Sequence, residues 1–338
     1  MNGDRRPSED DLVRLIRTRA ARPDATGVRR SIGDDAAVLE PSAGTMLVAT
    51  TDLLVENVHF RRRWAEPADI GWKAIAVNVS DVAAMGATPR WALVALACPE
   101  ASGPGEVEAF YEGALALCDA YGVVIVGGDT SSSPTGWTVN VTLLGEAAAP
   151  LLRSTARPGD VIAVTGSLGR AAAGLAVLER GQAPPGVPPA TLAELTEAHL
   201  RPRPRVAEGR WLAGAGGVTA MMDLSDGIAT DLSRLVAESG TGATVDLHRL
   251  PVAGATREVA ASLDHDPTAW GTGGGEDYEL LLTCERGAFE RLRAGLDTML
   301  GTALTAVGEI HAGRGVRWID ADGRDAVVAA GFEHFSRA

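Results

Sequence analysis

Nine acidic side chains of this 338-residue chain sit in six short knots rich in Gly, Ser and Thr. The knots are Gly33-Asp34-Asp35, Thr50-Thr51-Asp52, Asn78-Val79-Ser80-Asp81, Gly127-Gly128-Asp129-Thr130, Asp223-Leu224-Ser225-Asp226-Gly227 and Gly273-Gly274-Gly275-Glu276-Asp277. Most follow an apolar run, so each carboxylate is expected at the end of a buried strand. A chain punctuated in this way alternates strand, acidic turn and helix, which is the outline of an α/β fold.

The periodicity fills in that outline. Residues 10–19 place Leu12, Leu15 and Ile16 on one helical face. Residues 46–55, 91–97, 123–126 and 138–144 read as strands, from β-branched content and turn-forming borders. Between them, 70–85 and 107–121 have helical spacing, closed by Gly86 and Gly122. After Glu146 the pattern restarts. A turn at Arg157-Pro158-Gly159-Asp160 precedes a strand at 161–165 and a Gly-x-x-Gly entry to a helix at 168–178. Residues 182–189 are Pro-rich and read as a loop. A strand at 218–222 ends in the Asp223 knot, and Ile228, Leu232, Leu235 and Val236 form one face of a helix closed by Gly240. Strands at 278–283 and 305–310 follow. Two α/β domains are expected, 1–148 and 149–338, with the boundary between residues 147 and 157.

Hydrophobic residues make up 46% of the chain but aromatics only 4%, so the cores rest on Ala, Val and Leu. The formal net charge of −13 leaves no basic stripe for nucleic acid. Lys73 is the only lysine and lies between Trp72 and Ala74, which excludes a Walker A loop. Protein-kinase signatures are absent as well. Cys98, Cys118 and Cys284 are far apart in apolar stretches and read as reduced packing residues. No stretch approaches eighteen uninterrupted apolar residues, and the charged start lacks a signal-peptide core. A soluble, cytoplasmic protein with no membrane partner is expected.

Carboxylates gathered with hydroxyls, without His or Cys, make hard oxygen sites suited to Mg²⁺ rather than Zn²⁺. Magnesium on many carboxylates points to a phosphate-bearing substrate. Each knot also has a plainer reading. Asp34-Asp35 and Asp129-Thr130 fit ordinary turns, and Asp223, Ser225 or Asp226 could cap the helix that follows. Capping needs only one of the three, and the surplus favours a ligand. Asp81 falls in an otherwise apolar helix, where burying an unpaired carboxylate is costly. Three consecutive glycines at 273–275 imply close approach of backbone to a ligand. Five or six converging carboxylates would need metal, since two like charges about 4 Å apart repel by roughly 4 kcal/mol at an effective dielectric near 20. Arg153 suits a phosphate contact, whereas Arg61-Arg62-Arg63 reads as a solvated loop and His59 as a structural histidine or a substrate contact.

Taken together the knots resemble thiamine-monophosphate kinase. The resemblance rests on Gly33-Asp34-Asp35-Ala36-Ala37, Thr50-Thr51-Asp52-Leu53 with Asn57-Val58-His59-Phe60, and the run from Lys73 to Gly86. It continues in Gly127-Gly128-Asp129-Thr130, Asp223-Leu224-Ser225-Asp226-Gly227, Gly274-Gly275-Glu276-Asp277-Tyr278-Glu279-Leu280 and the terminal Gly331-Phe332-Glu333-His334-Phe335. It runs in order from about residue 10 to the end. It implies a two-domain α/β fold shared with aminoimidazole ribonucleotide synthetase, paired N-terminal domains in a homodimer, and ATP bound in clefts lined by both halves. By the same matching, Asp35, Asp52, Asp81, Asp129, Asp223 and Asp226 would bind several Mg²⁺ ions, with Thr50 or Thr51 nearby. Asp35, Asp52, Asp129 and Asp226 would serve catalysis through that metal. Gly128, Arg153, Ser225 and Tyr111 would contact ATP, and His59, Glu276 and Phe332 the thiamine phosphate. Selenophosphate synthetase would call for a reactive residue before Cys98, and the hydrogenase-maturation relative for a cysteine tail; neither is present. The expected reaction is in-line transfer of the ATP γ-phosphoryl group to thiamine monophosphate. The alternatives are a kinase or synthetase of the same fold with another substrate, and a non-catalytic magnesium–nucleotide sensor.

Overall fold

The computed structural model describes residues 9–20, 22, 25–328 and 330–333. The chain divides into two compact units: residues 1–82 with 87–149, and 83–86 with 150–338.

The first unit runs α1 (Glu9–Ala20), β1 (Val28–Arg30), β2 (Val38–Leu39), β3 (Met46–Val55), α2 (Pro67–Ala84), β4 (Thr88–Cys98), α3 (Pro104–Tyr121), β5 (Val124–Ser132) and β6 (Thr138–Ala147). Its main sheet has the order β3-β6-β4-β5, antiparallel except for the β4–β5 pair. Nearly every residue of α2 is buried, including Ile75, Val79 and Val82. A helix that is apolar all round has to be enclosed. Its backbone meets α3 at Gly71 and Gly113, where a Cβ would lie 1.9 Å from the Phe110 carbonyl oxygen and 1.8 Å from that of Ala68. One face of the sheet stays open within the chain. Thr51, Thr142 and Leu93 stand in register across β3, β6 and β4, and on that face Leu53 is 51% exposed and Leu93 39%.

The second unit runs β7 (Val161–Thr165), α4 (Arg170–Arg180), α5 (Pro189–Leu200), α6 (Val206–Ala215), β8 (Val218–Asp223), α7 (Ile228–Ser239), β9 (Gly242–Asp246), α8 (Gly254–Ser262), α9 (Pro267–Gly273), β10 (Leu280–Cys284), α10 (Phe289–Leu300), β11 (Leu304–His311) and β12 (Gly315–Ile319). The sheet order is β12-β9-β11-β7-β10-β8, with only β12–β9 parallel. Central strands β7 and β10 are buried at every residue, because the sheet is covered on both faces. Leu232, Leu235 and Val236 of α7 pack with Ile162, Val164 and Met222. Leu212 of α6 and Leu292 and Leu296 of α10 pack with Ala163, Met221 and Leu282. A smaller core joins α4, α5 and α8 through Ala173, Leu195 and Val259.

All three cysteines are buried as free thiols, and burial pushes Cys118 and Cys284 up to about 12. Among the described residues no helix is long and apolar enough to cross a membrane.

Candidate active site

In the first unit the acids are set out along β3, α2 and β5. Side chains alternate along a strand, so Thr50 and Asp52 share one face of β3, and both are half-buried. The Thr50 hydroxyl donates to the Asp81 carboxylate on α2. Thr51 is exposed and bonds across the strands to the Val141 carbonyl at 3.1 Å and the Asn140 amide at 3.0 Å. Of the two threonines, then, the side chain of Thr50 is the one grouped with Asp52 and Asp81. Asp81 itself is half-buried with a hydroxyl partner, so it is not the isolated buried charge that the apolar helix predicted.

Two further knots differ from expectation. β5 does not stop at Val126 but continues through Gly127-Gly128-Asp129-Thr130, because β4 holds it by parallel pairing as far as Ser132. A Cβ at Gly128 would lie 1.8 Å from the Val94 carbonyl oxygen, so strand contact by itself demands this glycine. Asp129 is exposed, its carboxylate accepting the Thr130 N–H at 2.9 Å. Asp35 is exposed too, with its N–H on the Asp34 carboxylate at 3.0 Å.

The half-buried His59 accepts the Val55 N–H on Nδ1 at 2.9 Å, which leaves Nε2 to carry the proton of the neutral ring. Lys73, only 3% exposed, reaches the His59 carbonyl at 3.4 Å. Tyr111 is 3% exposed and stacks edge-on against Phe110, with centroids 5.2 Å apart. Burial holds its phenol above the usual range. The ring belongs to the core, against the expected nucleotide contact. The arginine run lies in a loop, as expected, with its guanidinium groups engaged: Arg61 and Arg63 lie over Trp64, and Arg62 lies over Trp137 and pairs with Glu106.

In the second unit two knots are zipped together. Asp223, buried, ends β8 opposite Leu280. Beyond it the Leu224 and Ser225 carbonyls accept the N–H groups of Tyr278 and Glu276 at 2.9 and 2.8 Å. A Cβ on Gly275 would lie 2.7 Å from the Ser225 carbonyl oxygen. Close contact with protein backbone is thus by itself enough to require glycine here, as it is at Gly274, where a Cβ would lie 2.2 Å from the Trp270 carbonyl oxygen. Strand β10 accordingly starts at Leu280, after Glu276 and Tyr278 adopt left-handed φ values of 67° and 49°. Two such non-glycine residues within three positions concentrate strain of order 1–3 kcal/mol each. Glu276 lies 3.0 Å from His199 Nδ1.

The next acids serve structure. Asp277 accepts the N–H groups of Gly169 and Ala171 at 2.6 and 3.2 Å, capping α4. Burial still dominates and pushes its carboxyl up to about 7. Glu279, buried, takes a two-pronged contact from Arg205 at 2.7 and 2.6 Å and a bond from Thr165 at 2.7 Å.

The Asp223 knot is different. The N-cap of α7 is Gly227, whose carbonyl takes the Thr230 and Asp231 N–H groups at 3.0 Å, so Asp223, Ser225 and Asp226 all lie ahead of the capping position. The Asp226 N–H donates to Asp231 at 3.0 Å, and Arg234 bridges the carboxylates of Asp226 and Asp231. The Phe332 N–H reaches the Asp226 carbonyl at 3.1 Å, and Phe332 is 46% exposed. Arg153 is exposed, and its carbonyl accepts the Ser239 hydroxyl at 2.9 Å. His334 and Phe335 lie outside the described residues.

Sequence reasoning missed Asp231, Arg234, Arg205 and His199. Asp231, Arg234 and His199 sit at helical positions where a charged residue reads as solvent-facing, and Arg205 sits just before α6. An acid in the first turn of α7 is also what the helix dipole alone would favour. Among the described residues, no three His, Cys, Asp or Glu side chains group as a ready-made metal cage. The donor chemistry still fits Mg²⁺: Thr50, Asp52 and Asp81 offer hydroxyl and carboxylate oxygens without imidazole or thiolate.

Comparison with known proteins places these features in a family. Residues 33–147 match the N-terminal domain of AIR synthase related proteins, and 157–320 match the C-terminal domain. The chain is 39% identical over 329 residues to the thiamine-monophosphate kinase of Salmonella typhimurium, covering 95% of each chain. To that of Bacillus subtilis it is 36% identical over 287 residues, 84% of this chain and 86% of the relative. The crystal structure of thiamine-monophosphate kinase from Stenotrophomonas maltophilia superposes with a TM-score of 0.81 at 38% identity, covering 93% of this chain and 96% of the other. AaThiL complexed with AMPPCP and TMP gives 0.77 at 33% identity, covering 99% and 100%. The hydrogenase maturation protein HypE of E. coli, at 23% identity and a TM-score of 0.77, shares the fold.

Proposed function

The chain belongs to the thiamine-monophosphate kinase family of AIR synthase related proteins, and from that premise we propose that it transfers the γ-phosphoryl group of ATP in line to the phosphate of thiamine monophosphate. The structural observation that carries this reading is the Asp223 knot. Three oxygen-bearing side chains stand together before α7, and none of them occupies its N-cap position, which is Gly227. A relative solved with AMPPCP and TMP supports the two substrates.

A phosphate monoester has a second pKa near 6, so the acceptor is already a dianionic nucleophile at neutral pH. The protein then needs no strong general base. Its task is to align two polyanions and offset their repulsion. Asp35, Thr50, Asp52, Asp81, Asp129, Asp223 and Asp226 are the residues that would hold magnesium, which when bound supplies charge neutralisation and alignment of the phosphates. Gly128 through its backbone, Ser225, and Arg153 through its exposed guanidinium would receive the nucleotide. On the acceptor side we assign His59, Glu276 and the exposed Phe332. The strained backbone at Glu276 favours a role beyond packing.

The first unit then carries most of the metal-binding acids and the second most of the nucleotide and acceptor contacts. We assign the open leucine face of the β3-β6-β4-β5 sheet to a homodimer, since exposed apolar sheet faces of this kind mark interfaces. Reduced, buried thiols fit a cytoplasmic setting.

The test is ADP release with Mg-ATP, with and without thiamine monophosphate, and mass detection of thiamine diphosphate. Product that needs both substrates and disappears with EDTA is expected. ATP turnover indifferent to thiamine monophosphate would overturn the substrate assignment.

A further inference from the structure

The backbone polar groups of Asp226 are held at both ends. Its N–H donates to Asp231, a fully buried carboxylate on α7, at 3.0 Å. Its C=O accepts the N–H of Phe332, from the far end of the chain, at 3.1 Å. Its carboxylate meets Arg234, which also holds Asp231 at 3.2 Å. The neighbouring Gly331 donates its N–H to the Thr230 hydroxyl at 2.9 Å. A Cβ on Gly331 would lie 1.9 Å from the Asp226 carbonyl oxygen. That approach is open only to glycine. The terminal segment is therefore not draped over the knot but fastened to it by two hydrogen bonds and a glycine-only contact.

We propose that Asp231 and Gly331 are positioning residues that join the nucleotide-side Asp226 knot to the acceptor-side Phe332, so that binding on one side tightens binding on the other. The proposal rests on the assignment of Asp226 and Phe332 given above. The physical reason is short-range. The peptide groups flanking Asp226 have one orientation in which Asp231 and Phe332 are both satisfied. A nucleotide that fixes the Asp226 side chain narrows the motion of those peptides, and Phe332 inherits the restriction through a single backbone bond. Coupling of this kind is reciprocal: whatever factor the nucleotide gives the acceptor, the acceptor returns. One backbone hydrogen bond of ordinary net strength sets the scale at about two- to tenfold in affinity.

The experiment is titration calorimetry on the full-length protein. Thiamine monophosphate binding is measured with and without Mg²⁺ and AMPPCP, and AMPPCP binding with Mg²⁺ is measured alone. In the unaltered protein the analogue is expected to tighten thiamine monophosphate about fivefold. In Gly331→Ala the factor should fall to one, with AMPPCP affinity alone unchanged. Asp231→Ala should likewise remove the coupling, and Asp231→Asn, which keeps an acceptor for the Asp226 N–H, should restore most of it. Should Gly331→Ala fail to fold, Thr230→Val removes the acceptor for the Gly331 N–H and should reduce the coupling. Hydrogen exchange gives a readout independent of turnover: Mg²⁺ and AMPPCP without acceptor should slow exchange in a peptide spanning 330–333. A coupling factor of one in the unaltered protein, or coupling that survives Gly331→Ala, overturns the proposal. Thiamine diphosphate formation with a factor of one would sink the coupling and leave the function standing, whereas absence of product would sink the function itself.

Discussion

A carboxylate in this chain is defined by what already holds it. Asp277 and Glu279 lie in the same short motif as Glu276, yet both are consumed by the fold, one as the cap of α4 and the other as the counter-ion of Arg205. Asp52, Asp129 and Asp226 keep their oxygens nearer solvent. Asp52→Asn and Asp226→Asn are therefore expected to lower turnover by about a hundredfold or more, the scale on which removing a group that stabilises transition-state charge is felt. Their far-UV circular dichroism should match that of the parent. A lost helical signal in either variant would mean a structural role instead.

Asp277 gives a prediction of the opposite kind. Its carboxyl is raised to about 7 by burial, against about 3.9 in an unfolded chain. Between those values the folded state binds the proton and the unfolded state does not, so stability contributed here is present at low pH and is lost as pH rises through 7. From pH 5 to pH 7 the loss is about 2 kcal/mol. In urea titrations Asp277→Asn should gain on the parent over that interval by a similar amount. A stability difference independent of pH would show that the carboxyl is ionised throughout.

At the scale of elements, Glu279 ties the entry of β10 to Arg205 just before α6, and Arg205 continues to Glu208 at 3.2 Å. Breaking a buried pair from one side strands the other charge, at about 3–5 kcal/mol. Glu279→Gln should accordingly lower the melting temperature by several degrees or more, and an unchanged melt would mean that water replaces the lost partner. The same elements show where the fold was legible. Strands β3 and β7 could be bounded to the residue from sequence, because β-branched runs there end in sharp turn signals. The expected strand at 278 starts two residues ahead of β10, since Glu276 and Tyr278 carry left-handed backbone that their side chains do not advertise. Paired glycines at 127–128 read as a break in β5, whereas the parallel ladder to β4 overrides that weakness. α5 follows a Pro-rich loop and α6 contains two glycines, so local propensity argued against both. Of the candidate site, the acid-bearing knots were visible as composition. The contacts that decide which acids are free were not, because Arg205, Asp231 and Arg234 are partners in space and not in spacing.

For the molecule as a whole, the open leucine face predicts assembly. Leu53→Glu combined with Leu93→Glu would place charges on the centre of that face. Sedimentation should then shift from dimer to monomer, with the secondary structure retained. A parent protein that sediments as a monomer would remove the assignment. The lone lysine has a different consequence. Lys73 is buried in α2, so the remaining 30 of the 31 basic residues are arginines. Guanidinium stays charged across the accessible range, so none of these thirty side chains changes the charge of the molecule with pH. It also makes the chain its own clock. Apart from any free α-amino group, an amine-selective reagent finds a target only when the first unit opens, and the mass of a single label would record how often it does.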